Sequence, residues 1–134
     1  MALKKAEAPW RAGLHSLRVL IGPGLSHGTG TDEFVLAVLR NVRAVPTVID
    51  ADGLNALARA APAARGGGEA DRREERDRPV PLPQKCVLTP HDGEAARLTG
   101  QVVPKGAQRV PFAERFASEW KTVVVLKGPI TVVT

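Results

Sequence analysis

The chain has 134 residues, 43% hydrophobic and 25% charged, which fits one modest domain or part of a larger one and excludes full disorder. No apolar stretch approaches the roughly 18 residues of a membrane span, the N-terminus MALKKAEAPWRAG lacks the apolar core of a secretory signal, and the single cysteine, Cys86, excludes a disulfide framework or a thiolate zinc cluster. The formal charge of +5 is spread thinly, the densest charged run (65–78) is neutral overall, and aromatics are only 4%, so no basic, aromatic-lined surface for nucleic acid is expected.

Residues 1–16 read as a polar lead. Leu17 to Ile21 (LRVLI) is a short apolar run that stops at Gly22-Pro23-Gly24, the pattern of a buried strand and a turn. The stretch GPGLSHGTG holds four glycines in nine residues, so its backbone can approach another group closely. Thr31, Asp32 and Glu33 predict a helix start, with the hydroxyl as cap and the acids at the positive helix end. Phe34, Val35, Val38, Leu39 and Val42 then recur at helical spacing. Pro46 to Asp50 (PTVID) predicts a second strand, and Leu54, Leu57, Ala58 and Ala61 a helix directly after it. Residues 63–84 are rich in Gly, Pro, Arg and Glu and predict a flexible insertion. Lys85 to Leu88 predicts the third strand, Glu94 to Leu98 a short helix closed by Gly100, and Phe112 to Trp120 another amphipathic helix. Thr122 to Leu126 predicts a fourth strand, and Ile130 to Val133 a fifth.

Alternating strands and helices predict an α/β fold: a mainly parallel sheet with flanking helices. The continuous Val/Leu/Ile runs predict strands covered on both faces. Four or five strands with a strand forming at Thr134 suggest an incomplete domain spanning 17–134.

The residues at the strand ends carry the chemistry. Asp50 and Asp52, with Asn55 behind them, can hold a hydrated metal or order a phosphate-bound water; the plainer alternative is helix capping by Asp52, worth about 1 kcal/mol. His91 and Glu94 are three apart and share one face of a first helical turn. The imidazole can donate to a ligand oxygen, and the carboxylate can hold magnesium through water; otherwise His91 is a surface loop residue and Glu94 a first-turn acid. Zinc is not expected, since no second His or Cys is suitably spaced. Lys127-Gly128 can meet phosphate oxygens, although the dipeptide is common and no Walker A spacing is present. The glycines at 22–30 do not form a standard dinucleotide fingerprint. In a parallel sheet all these strand ends fall along one edge, where open α/β sheets bind ligands. That convergence is stronger than any one motif.

Taken in order, IGPGL (21–25), VIDADGLN (48–55), VLTPHDGEAARLTG (87–100) and VVLKGPITVV (124–133) resemble the ADP- or ATP-dependent NAD(P)H-hydrate dehydratases, which have a ribokinase-like fold. The resemblance implies repair of hydrated NADH or NADPH, with nucleotide hydrolysis driving loss of the added water. It implies Gly24 and His91 in the hydrate site and Lys127, Gly128 and Thr131 at the nucleotide; with the strand-end residues Asp50, Asp52 and Asn55 these make the candidate substrate-binding set, and Pro129 and Ile130 complete the nucleotide-binding stretch. Glu94 stands where related kinases place an acid that helps position Mg2+. A cytoplasmic enzyme, homo-oligomeric at full length, is expected, with no nucleic-acid or membrane partner.

The chain departs from the family pattern at Ser26 (GPGLG in the family), Asp92 (TPHPGE) and Pro129-Ile130 (KGAGT). Pro129 removes a backbone donor from the phosphate loop. The G-x-G-D motif, whose aspartate is the family's catalytic base, does not occur in the 134 residues. The expectation is therefore a partial chain that is catalytically inactive alone, since a general base contributes about 10²- to 10⁴-fold. A small-molecule kinase of the same fold, or a non-catalytic nucleotide-binding remnant, are the competing readings.

Overall fold

Short β-branched runs bounded by Pro, Gly and Asp become the strands β1 (Val19–Ile21), β2 (Thr47–Ile49), β3 (Cys86–Leu88) and β4 (Val123–Leu126). The computed structural model describes residues 17–61 and 82–134. The polar lead and most of the expected insertion at 63–84 lie outside the described residues. Between the strands run α1 (Thr29–Asn41), α2 (Ala51–Ala60), α3 (Asp92–Thr99) and α4 (Arg109–Trp120), and β5 (Val132–Val133) follows β4. The strands lie in sequence order in one five-stranded sheet. Pairs β1–β2, β2–β3 and β3–β4 are parallel and β4–β5 is antiparallel.

Right-handed crossovers between sequential parallel neighbours put the connecting helices on one face, and burial follows that rule. The aligned residues Ile21, Ile49, Leu88 and Val124 are all buried. The preceding aligned set, Leu20, Val48, Val87 and Val123, points the other way and ranges from half-buried to 66% exposed at Leu20. The sheet expected to be covered twice is thus covered once among the described residues. Each buried Leu, Ile or Phe on the covered face contributes about 1.5–3 kcal/mol of transfer free energy, and these residues form one continuous cluster.

Helix α2 packs against both α1 and α3, with Leu54, Ala56, Leu57 and Ala58 buried. In α4 Phe112, Ala113 and Phe116 face inward, and Phe116 meets Phe112 and Trp120 edge-to-face. Pro111 is tolerated because it lies in the first turn, where backbone N–H groups have no partner within the helix. Helix α3 ends at Gly100, whose φ of 69° is left-handed, matching the expected glycine stop.

Two helical details differ from expectation. Phe34 is 54% exposed and only Val35 and Leu39 are buried in α1, because five residues spread too wide an arc for one contact face and the buried stripe centres beyond Phe34. The N-cap of α1 is Gly28, not Thr31. The Thr31 hydroxyl instead donates to the Leu25 carbonyl at 3.3 Å, tying the helix to the glycine loop.

Candidate functional site

Backbone proximity builds the rim at the carboxyl ends of the strands. After β1 the chain turns at Gly22 so tightly that a Cβ there would lie 1.7 Å from the Asp50 carbonyl oxygen. The Asp50 N–H donates to the Ile21 carbonyl at 3.1 Å, and the Gly53 N–H donates to the Asp50 carbonyl at 2.9 Å. The glycine loop and the Asp50–Gly53 turn therefore interlock, and only glycine fits at the crossing. Gly24, also left-handed at φ 77°, has open space where a side chain would be. The Ser26 N–H donates to Asp52 Oδ2 at 2.9 Å, and His27 Nδ1 is 3.3 Å from Asp52 Oδ1. Asp52 thus serves neither as a cap for α2 nor as a free carboxylate: it holds the glycine loop down. The N-cap of α2 is Asp50, with no side-chain cap bond.

Asp50 faces the fourth strand. Its Oδ1 accepts from Lys127 Nζ at 2.9 Å, joining the ends of β2 and β4 across β3. Partial burial pushes the Asp50 carboxyl up, but the hydrogen bonds from Lys127, Thr89 and the Ala51 amide, with the Lys127 charge, hold it below the usual carboxylate range. Between them His91 bridges Lys127 in parallel register, and the Lys127 N–H donates to the Pro90 carbonyl at 2.8 Å. Lys127 to Thr131 form the connection from β4 to β5, with Gly128, Pro129, Ile130 and Thr131 exposed.

His91 opens α3. Its Nδ1 accepts from the amides of Gly93 and Glu94 at 3.0 and 3.4 Å. An acceptor Nδ1 leaves the proton of a neutral ring on Nε2, which lies 3.4 Å from Glu94 Oε1. Glu94 Oε2 accepts the His91 N–H at 2.9 Å, completing a reciprocal capping box. The His91 side chain is 54% exposed, whereas that of Glu94 is 7% exposed. Glu94 therefore does not fit a direct magnesium ligand in this arrangement: it is buried and committed to the cap. Among the described residues no group of three or more His, Cys, Asp or Glu is assembled to hold a metal ion. Asn55 spends its amide oxygen on Arg97 at 2.7 Å, bracing α2 against α3.

Gly24, Asp50, Asp52, His91 and Lys127 thus share one rim. A depression of about 670 Å³ lies elsewhere, by the amino ends of the strands and the uncovered sheet face, with a mainly apolar lining that includes Val48 and Val87. It gathers none of the paired acids or the imidazole. Sequence patterning gave no hint of Arg109, which opens α4 and is 4% exposed. Its guanidinium pairs with Asp92 Oδ1 at 2.8 Å and donates to the Lys127 carbonyl at 3.2 Å. A lone arginine beside an amphipathic stripe carries no signal of burial in a sequence; only the fold reveals it.

No described helix is long and apolar enough to cross a membrane. Two solved structures share the fold: a hypothetical protein from Streptococcus mutans (TM-score 0.63, 21% identity, covering 92% of this chain and 39% of that one) and a ribokinase-like superfamily protein from Enterococcus faecalis (TM-score 0.61, 23% identity, covering 87% and 35%). Among curated proteins, the chain is 41% identical over 117 residues to a bifunctional NAD(P)H-hydrate repair enzyme Nnr from Salinibacter ruber, and 42% identical over 114 residues to one from Moorella thermoacetica. These matches cover 86% and 84% of the chain but 18% of each relative, so the chain spans under a fifth of their length. The family model described as NAD(P)H-hydrate dehydratase matches residues 11–134, and by that match the chain belongs to the NAD(P)H-hydrate dehydratase family.

Proposed function

We propose that this chain supplies the hydrate-binding and phosphate-binding rim of an enzyme that dehydrates hydrated NADH or NADPH at the expense of ADP or ATP. The observation that carries the reading is the Lys127–Asp50 pair beside His91, an ammonium, a carboxylate and an exposed imidazole on one sheet edge of a family member. Phosphoryl transfer to the ring hydroxyl turns a poor leaving group into a good one. The ring nitrogen lone pair then expels phosphate, and loss of a neighbouring ring proton restores the dihydronicotinamide.

Each rim residue has a task in this scheme. Gly24 leaves room for the dinucleotide to lie against backbone. The exposed edge of His91, with Nε2–H, donates to the hydrate, while Nδ1 keeps the ring in place. Lys127 exchanges its Asp50 partner for phosphate oxygens, and the Gly128 amide and Thr131 hydroxyl add donors; Pro129 contributes none. Asp52 positions the glycine loop, and Asn55 steadies α2 behind it. Magnesium would neutralise the charge of the nucleotide phosphates, and Glu94, buried and committed to the cap, would reach it only through water. A homo-oligomeric, cytoplasmic enzyme belongs to the same proposal. No G-x-G-D occurs in the 134 residues, and the part proposed for this stretch is binding.

The test incubates the full-length gene product with hydrated NADH, ADP or ATP, and magnesium. Recovery of the near-ultraviolet absorbance of reduced nicotinamide supports the proposal, and Lys127→Met should weaken nucleotide binding while leaving hydrate affinity nearly unchanged. A stable phosphorylated alcohol as product would assign the chain to a kinase instead.

A further inference from the structure

Arg109 is a charged residue that the fold alone does not explain. Its side chain is 5% exposed, and its Nε is buried without a hydrogen-bond partner. A buried charge with an unpaired donor is a poor way to stabilise a core. An apolar side chain of similar volume would fill the same space without that penalty. What the guanidinium does achieve is geometric. One arm pairs with Asp92 in the first turn of α3, directly after His91. The other donates to the carbonyl of Lys127. The same group lies so close to Gly128 that a Cβ there would be 2.6 Å from its terminal nitrogen and 3.1 Å from its central carbon. A planar, rigid fork is suited to holding two groups at a fixed separation.

We propose that Arg109 is a positioning residue for the phosphate-binding loop: it clamps the Lys127–Gly128 turn to the start of α3, so that the Lys127 ammonium and the Gly128 amide keep a fixed aim relative to His91. The inference rests on the reading of that loop as the nucleotide site. Glycine at 128 follows from it, because any side chain there would displace the clamp. Asp92, where the family pattern has proline, is the clamp's acidic partner in this chain. The Lys127 side chain remains free to exchange Asp50 for phosphate, since Arg109 holds the Lys127 carbonyl and not its ammonium.

The test uses the full-length protein with ADP as probe, hydrated NADH as the second ligand, and the variants Arg109→Met and Arg109→Lys. Losing a charge-assisted bond in the clamp should raise the ADP dissociation constant about tenfold in Arg109→Met, with hydrated NADH affinity changed less than about twofold. Arg109→Lys should recover only part of the loss, because one ammonium cannot span Asp92 and the Lys127 carbonyl as a fork does. Hydrogen exchange supplies a readout that needs no nucleotide. The Lys127 amide, bonded to Pro90, should exchange faster in Arg109→Met, while the core amides of β2 and β3 keep their rates. A merely structural role predicts that both ligand affinities and all core amides suffer together, and that outcome overturns the proposal, as does an unchanged Lys127 amide. If Arg109→Met does not fold, the lysine variant decides by the same two measurements. Wild-type protein that binds neither ADP nor ATP sinks the nucleotide reading, and the exchange data then judge the clamp separately.

Discussion

The helix-covered face of the sheet and its carboxyl rim are built from different physics. On the covered face Ile49, Leu88, Val124 and Leu126 are fully buried and make no polar contact through their side chains; shape and water exclusion are all they contribute. One residue further along β2 and β4, Asp50 and Lys127 are 28% and 42% exposed at the side chain and meet through charge. Hydrophobic burial is non-directional and large in sum, whereas the rim's ion pairs are directional and small. Stability should therefore follow the covered face, and ligand competence the rim.

The largest effect is expected on the covered face. Leu88→Ala should lower the unfolding free energy by about 2–5 kcal/mol, the range for fully buried leucines. Urea unfolding measures it, and the loss should be equal at mildly acidic and mildly basic pH because the contribution removed is hydrophobic and carries no charge. Val87→Ala, its neighbour on the uncovered face, should cost markedly less. Equal losses at 87 and 88 would mean that the second face is buried too, and the contrast drawn from β3 would fail.

At the rim the backbone, not charge, should dominate. Gly22→Ala forces a methyl into the Asp50 carbonyl at 1.7 Å, and separating the interlocked turns should cost about 1–3 kcal/mol, as overpacking does. Gly24→Ala meets open space and bears only the left-handed penalty of about 1–2 kcal/mol. Thermal melts of the two variants rank them. If Gly24→Ala proves as damaging as Gly22→Ala, the loop is held by its conformation and not by the crossing with Asp50.

These cases mark what the sequence discloses. Strand and helix order was readable because apolar runs stop at GPG, DAD, TPH and KG, and each of those turns does end a strand. The common edge was readable for the same reason: parallel strands align like ends. The double covering was not, since V-V-V and V-L-I runs look alike whether one face or two are buried. The roles within the rim were only partly readable. Asp52 suggested a cap or a metal carboxylate and instead holds Ser26, a partner 26 positions away. His91 and Glu94 did share the first turn of a helix, but the mutual capping box uses much of the capacity that the spacing offered to a ligand. Arg109 depends on contacts with Asp92 and Lys127, 17 and 18 residues off, which no local pattern encodes.

The smallest expected effect tests charge at the rim. The Asp50 carboxyl is depressed in the folded chain, with Lys127 chief among the groups that overcome the opposing effect of burial. A depressed carboxylate adds stability that is present above its unfolded value, about pH 3.9 for Asp, and that disappears as pH falls through the lower folded value. Lys127→Met should therefore destabilise the chain slightly at neutral pH, by at most about 1 kcal/mol for so exposed a pair. The gap to wild type should close once the pH drops below the folded Asp50 value, and should narrow in concentrated salt. Urea midpoints collected from neutral pH down into the acid limb give the comparison. A gap that persists unchanged at low pH would show that Lys127 stabilises through its aliphatic stem, and the rim would then resemble the covered face more than its charges suggest.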